Sequence, residues 1–324
     1  MTYTAAIIGA GQLGSRHLQG LKTAKLPLRI EVMDRDETAL STASTRYDET
    51  PENHLIDSVR YFNNIELLSS NLDLVIVATG SMPRAAVIKE LLQKKNVRNL
   101  VLEKVLFPDT EQYTEIANLL KDKNLEANTW VNCARRMFSG YEQLKHELGN
   151  RKNIECTVTG SNWGLACNGV HFIDLFAFLI SSDDKISEIN TRYLEPEIHQ
   201  SKRLGYIEFM GTLIAGSTKG SVIKLTCFAG DNISASISIS AENSKFEIDE
   251  SKNIITKNGE KWADIGIMYQ SQMTGLLAEE ILNQNNCRLT SYMESAEIHL
   301  KFLHPLVLLY NELTNSKGSF CPIT

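Results

Sequence analysis

Apolar residues come in short continuous runs through the first third of the chain, each followed by a polar or helix-like stretch. The runs are Ala5-Ala6-Ile7-Ile8, Leu28-Arg29-Ile30-Glu31-Val32-Met33, Leu72-Asp73-Leu74-Val75-Ile76-Val77-Ala78-Thr79 and Leu100-Val101-Leu102. Residues 37–46, 84–94 and 110–121 read as helices, 49–53 as a polar loop, and 127–131 as a further strand. Strands alternating with helices of this length predict an α/β parallel sheet, doubly wound with helices on both faces. From residue 155 the pattern changes. Strand-like segments at 155–160, 207–214, 221–228, 233–239, 245–248 and 254–257 include alternation such as Ser234-Ala235-Ser236-Ile237-Ser238-Ile239, which suits a mostly antiparallel sheet with one exposed face. Two long helices follow at 269–283 and 291–313. The expected organisation is an N-terminal α/β domain over 1–125 and a C-terminal α+β domain over 126–324, with no internal repeat.

The first strand runs into Gly9-Ala10-Gly11-Gln12-Leu13-Gly14, and Asp34 stands at the end of the second strand, twenty positions after Gly14. Each glycine has a mechanical task in a Rossmann dinucleotide site. Gly9 makes the tight turn, Gly11 admits a pyrophosphate to the backbone, and Gly14 lets helix and sheet pack closely. The free N–H groups that open the helix then face phosphate. Asp34 is placed to accept hydrogen bonds from ribose hydroxyls and repels a 2′-phosphate, so NAD is favoured over NADP. Arg35 weakens that preference, because a guanidinium can pair with the extra phosphate. Ligands of such sheets lie at the carboxyl ends of the strands, which adds Thr79, Gly80, Ser81, Glu103 and Lys104 to the candidate coenzyme residues beside Gly9, Gly11, Gln12, Leu13, Gly14, Asp34 and Arg35.

Composition narrows the class of partner. At 324 residues the chain is long enough for two cores, and its net charge of -6 without a Lys/Arg block argues against nucleic acid or an anionic membrane. The N-terminus lacks the pattern of a secretory signal, and the apolar stretch 172–180 carries Asp174 and is far short of a membrane span. A cytoplasmic location is expected. The six cysteines show no C-x-x-C pair and read as reduced thiols, mostly in the core.

Three motifs occur in order: Gly9-Ala10-Gly11-Gln12-Leu13-Gly14-Ser15-Arg16-His17, Leu102-Glu103-Lys104, and Gly169-Val170-His171-Phe172-Ile173-Asp174. Together they make the chain resemble the glucose-fructose oxidoreductase and inositol dehydrogenase family, Gfo/Idh/MocA. The resemblance implies a nicotinamide enzyme that oxidises a carbinol of a sugar, polyol or sugar-nucleotide, or reduces the matching carbonyl. It further implies an active site between the two domains, a second domain that binds substrate and forms homodimers or homotetramers, and a role in surface-polysaccharide biosynthesis. By the same resemblance, Lys104 falls on the lysine of the family's Glu-Lys-Pro motif and His171 on its catalytic histidine. An alcohol oxidation needs a base for the hydroxyl proton, which neutral imidazole supplies; Lys104 either shares that work, if burial and the cationic nicotinamide lower its pKa, or polarises the oxygen as an ammonium. The competing reading is a catalytically silent NAD-binding sensor or partner-binding protein of the same fold.

The chain departs from that family pattern twice. Val105 replaces the proline before which the family has a cis peptide, so a cis bond here is expected to be costly. Cys167 stands where an aspartate often precedes the histidine by four residues, so no aspartate role is carried over, and Asn168 is a substrate-binding candidate instead. Arg136, in Asn132-Cys133-Ala134-Arg135-Arg136, is expected to border the substrate, with helix capping as the alternative, and Trp163 offers either a flat face to a sugar ring or a core anchor. Asp174 is expected to orient a partner or cap its helix rather than react. Cys167 and His171 have the i, i+4 spacing of a metal or thiol–imidazole pair, but no further ligands cluster with them, and no metal site is expected.

Overall fold

The computed structural model describes residues 2–231 and 233–324. They divide into two compact units: the first takes the chain through Phe107 with Gln112–Asn132 and Met268–Met293, the second Pro108–Glu111, Cys133–Ile267 and Glu294–Thr324. A boundary near residue 125 was expected from the sequence. The units differ from it chiefly in that 268–293, placed with the C-terminal domain by its sequence position, packs in the first unit.

The first stretch of chain forms β1 (Tyr3–Ile8), α1 (Gln12–Lys22), β2 (Leu28–Met33), α2 (Glu37–Asp48), β3 (Ile56–Phe62), β4 (Asn71–Leu72), β5 (Leu74–Val77), α3 (Ser81–Lys94), β6 (Asn96–Val97), β7 (Leu100–Leu102), α4 (Glu111–Asp122) and β8 (Thr129–Val131). Then follow α5 (Ser139–Leu148), β9 (Glu155–Ser161), α6 (Leu165–Leu179), β10 (Ile186–Leu194), β11 (His199–Gln200), β12 (Ile207–Glu208), β13 (Gly211–Ser217), β14 (Val222–Phe228), β15 (Ser236–Ala241), β16 (Ser244–Asp249), β17 (Ile254–Lys257) and β18 (Glu260–Asp264). The chain ends with α7 (Gln270–Gln284), β19 (Thr290–Ser291) and α8 (Tyr292–Thr314).

The first unit is built on a seven-stranded sheet in the order β19-β8-β7-β5-β1-β2-β3. Its strands pair in parallel except for the antiparallel edge strand β19. Ala5 to Ile8, Leu74 to Val77 and Leu100 to Leu102 are fully buried. Helices cover both faces of these central strands, which is why their sequence is continuously apolar rather than alternating. The run at 72–79 is not one strand. Asp73 turns its carboxylate to the Thr4 N–H at 2.8 Å, so Leu72 pairs with β6 in a separate ribbon and the sheet strand begins at Leu74.

The second unit carries an eight-stranded sheet, β10-β13-β14-β9-β15-β16-β17-β18, antiparallel throughout except where β14 meets β9. Residues along β15 and β16 alternate between buried and more exposed positions, as the sequence pattern requires of a sheet with one packed face. The segment expected as one strand at 207–214 is broken at Phe209 and Met210, because Glu208 is used to cap α6 while β13 starts afresh at Gly211 beside β10. The architecture is thus the anticipated one, a doubly wound parallel sheet joined in sequence to an α+β portion on a mostly antiparallel sheet. Among the described residues no helix is long and apolar enough to cross a membrane.

Candidate functional site

The glycine turn is shaped by sterics at two positions and left open at a third. Gly9 has φ of +98°, and a Cβ there would lie 2.8 Å from the Thr79 nitrogen. A Cβ on Gly14 would sit 1.7 Å from the Gly9 carbonyl oxygen, so α1 can approach the turn only without a side chain at that point. Around Gly11 a Cβ would meet nothing within 4 Å. Open backbone here is what close approach of a diphosphate requires. Gly11 is also the N-cap of α1 and supplies no side-chain cap, and Gly80 likewise leaves α3 without one. Two helix N-termini therefore present backbone donors on the same sheet rim. Beside them, the Thr79 hydroxyl oxygen is buried and has no hydrogen-bond partner among the described residues.

Asp34 follows the last residue of β2. Its Oδ2 accepts from the Ala10 N–H at 2.6 Å and its Oδ1 from the Asp36 N–H at 3.0 Å, which fixes the carboxylate against the glycine turn. Gln12 is exposed and Leu13 half-buried at the start of α1. Because β7, β5, β1 and β2 are consecutive in the sheet, Lys104, the Thr79–Ser81 turn, the glycine turn and Asp34 succeed one another along the rim. Three interstrand steps give a line of about 14 Å.

Lys104 is held from both sides in the chain. The preceding Glu103 is buried, and its Oε1 is 2.9 Å from Nε2 of the fully buried His17 and also accepts from the Asn132 amide. Asn132 in turn donates to Gln270 Oε1 at 2.8 Å, and the other His17 nitrogen lies 3.0 Å from the Thr274 hydroxyl. Thus α1, β7, β8 and α7 meet at one carboxylate. Sequence reasoning placed Glu103 among coenzyme contacts; the structure uses the side chain as an internal anchor. On the other side, the buried Arg84 guanidinium donates to the carbonyls of Val105, Leu106 and Thr79. Arg84 went unassigned in the sequence. Its signal was a charge on the apolar stripe of α3 with Ala85, Ile88, Leu91 and Leu92. The Lys104–Val105 peptide is cis although residue 105 is not proline.

Burial acts to raise the Glu103 pKa, but the His17 ring, the Asn132 amide and the Arg84 charge outweigh it and hold the carboxyl below its ordinary 4.5. A carboxylate with a lowered folded-state pKa contributes stability that is present above its unfolded value and is lost as pH falls through the folded one. Thermal unfolding of the protein and of Glu103→Gln between pH 7 and pH 3 should therefore show a gap that narrows below about pH 4.5. A pH-independent gap would contradict the ionised, hydrogen-bonded state.

In the second unit, α6 carries His171 in its body rather than at its start, on a half-buried stripe with Cys167 and Asn168. The N-terminus of this helix is already filled. Glu208 accepts from the N–H groups of Ala166 at 2.7 Å and Cys167 at 3.2 Å. Gly164, with φ of +79°, is needed there because a Cβ would come within 3.0 Å of the Glu208 carboxylate. Sequence reasoning missed Glu208, which stands in an otherwise unremarkable strand segment. The Asn168 amide donates to the Trp163 carbonyl at 2.7 Å, and the Trp163 indole N–H to the Thr226 carbonyl at 2.8 Å, with the indole edge-on to Phe172. Trp163 is thereby anchored in its own unit.

Arg136 was expected to border substrate; its side chain is 8% exposed, and its guanidinium reaches Asp174, at 2.8 and 2.9 Å, and Glu294, at 2.8 Å. Burial opposes its charge, but these two carboxylates raise its pKa beyond the ordinary arginine value. Its Nε and Nη2 are thus engaged by carboxylates of the same unit. Arg135 is similarly committed, to Glu250 at 2.7 Å through both nitrogens, over the face of Phe172. Asp174 orients Arg136, in keeping with one of the roles read for it.

The model of the GFO_IDH_MocA oxidoreductase family, NAD-binding Rossmann fold, matches residues 3–129. No curated protein matches the chain. Among solved structures the fold is similar to UDP-N-acetylglucosamine 3-dehydrogenase from Acidithiobacillus ferrooxidans, with 14% identity, TM-score 0.68, and 95% of this chain and 96% of that one covered. It is also similar to scyllo-inositol dehydrogenase from Lactobacillus casei with bound NAD(H) and scyllo-inositol, at 15% identity, TM-score 0.65 and 98% coverage of each chain. An oxidoreductase from Agrobacterium radiobacter in complex with NAD+, L-tartaric acid and magnesium shares the fold at 14% identity and TM-score 0.69, over 97% of this chain and 96% of that one.

Proposed function

Because residues 3–129 belong to the NAD-binding Rossmann fold of the Gfo/Idh/MocA oxidoreductase family, we propose that the protein is an NAD-dependent dehydrogenase of a sugar, polyol or sugar-nucleotide. The observation that carries this reading is the open backbone at Gly11 under an uncapped helix, with Asp34 at one end of the strand rim and Lys104 at the other. Those residues fit a dinucleotide. Asp34 would hold the adenosine ribose, the α1 and α3 N-termini the diphosphate, and Thr79 would offer its unpartnered hydroxyl. Bound NAD supplies the hydride acceptor.

The chain's own residues supply the rest of the chemistry. His171, neutral, takes the proton of the reacting hydroxyl; in the reverse direction its protonated form returns it. The Lys104 ammonium is the group we assign to stabilising negative charge on a substrate oxygen. The polyhydroxyl substrate class is supported by fold neighbours named for UDP-N-acetylglucosamine and scyllo-inositol. A place in surface-polysaccharide synthesis is the specific role we favour, with sugar-nucleotides as its substrates, in a homo-oligomer.

Calorimetry with NAD, followed by nicotinamide absorbance across a panel of sugars, polyols and UDP-sugars, tests the proposal. NAD binding and turnover of at least one polyhydroxyl class are expected. Binding without turnover anywhere in the panel would instead identify a silent coenzyme-binding protein, and no binding would refute the coenzyme site.

A further inference from the structure

At the carboxyl ends of β2 and β3 a cavity of about 220 Å³ is lined by Met33, Arg35, Asn63, Asn64, Glu90 and Lys94. Asp34, the residue proposed to hold the adenosine ribose, lies in the chain between two of these walls. Glu90 belongs to a different element, α3, and is bonded to both cations of the cavity. One oxygen is 3.3 Å from Arg35 Nη2 and the other 3.0 Å from Lys94 Nζ. Lys94 also reaches Glu66 at 2.8 Å.

A ribose 2′-phosphate brings close to two negative charges, and a guanidinium after the strand-end carboxylate is the group suited to receive it. Here that guanidinium is drawn to Glu90. Lys94 is also neutralised by carboxylates, while Glu90 adds negative charge to the cavity that Arg35 lines. We infer that Glu90 is a coenzyme-selecting residue, which withholds Arg35 from a 2′-phosphate and so enforces NAD over NADP. This rests on the proposed NAD site and adds to it a residue outside the glycine fingerprint. The Arg35 side chain is 81% exposed, so the pair is screened and its effect is graded rather than absolute.

The test is a set of dissociation constants for NAD and NADP measured by calorimetry on the unmodified protein, Glu90→Gln, Arg35→Ala and the double variant, at low and high salt. Glu90→Gln should tighten NADP binding by about two- to fivefold, as expected for releasing an exposed ion pair. NAD affinity should change less. The gain should shrink in high salt and vanish in the Arg35→Ala background. An NADP-to-NAD ratio unmoved by Glu90→Gln, or a gain that persists without Arg35, overturns the role of Glu90 while leaving the NAD site standing. If the unmodified protein binds neither coenzyme, both proposals fall.

Discussion

Replacing Lys104 by alanine should lower turnover of the best substrate by about 10²- to 10⁴-fold, the range for losing a positioned acid–base or charge-stabilising group. The loss should appear in both kcat and kcat/KM, because the interaction belongs to the developing oxyanion rather than to uniform substrate binding. Lys104 is suited to that role because its backbone is fixed on both sides. Glu103 ties the preceding residue to His17 and Asn132, and Arg84 grips the two carbonyls that follow. A side chain on such a support loses little freedom when it meets its oxygen. Steady-state kinetics of Lys104→Ala, with NAD affinity measured alongside, checks this. Undiminished turnover would remove the amine from the chemistry.

Asp174→Ala should destabilise the second unit by about 3–5 kcal/mol, because it strands the Arg136 guanidinium in the interior. Asp174 is 1% exposed and supplies two of the three carboxylate contacts of Arg136; the third comes from Glu294, whose side chain is 49% exposed. Water can partly reach Glu294 but not the face that Asp174 vacates, so compensation is incomplete. The thermal midpoint should fall by roughly 6–20 °C. Replacing Arg136 and Asp174 together by apolar residues of similar volume should cost much less, since neither charge is then left alone. A midpoint within about 1 °C of the unmodified protein, against a cost on this scale, would show that Arg136 finds water or another partner.

The parallel core was legible because its physics is local. Strands covered on both faces must be continuously apolar, as β1, β5 and β7 are, and the glycine turn announces itself by its residue types and spacing, although part of what crowds Gly9 is the distant backbone of Ala78 and Thr79. By contrast, β3 went unread because no residue in Ile56–Phe62 is fully buried, so its charged and aromatic side chains show no apolar rhythm at the sheet edge. The protein partners of Arg136 and Glu103 went unread for another reason. A sequence shows that a buried charge needs a partner, but not whether the partner is a ligand or a residue dozens of positions away. Arg136 meets Asp174 and Glu294, 38 and 158 positions on. Glu103 meets a histidine 86 positions earlier. His171 and Lys104 are candidates through motif resemblance alone, since neither spacing nor polarity marks them.

The placement of α7 has a consequence for biosynthesis. Its small residues nest into α1: a Cβ on Gly20 would come within 2.7 Å of Thr274, and one on Gly275 within 2.8 Å of the Gly20 carbonyl. Gln270 and Thr274 also complete the ring of donors and acceptors around His17. A ribosome delivers this helix more than 130 residues after β8, the last parallel strand of the sheet, so the first unit cannot be completed when its parallel strands emerge. Until then the groove of α1 stands uncovered, and His17 lacks the Thr274 and Gln270 partners that it has in the folded chain.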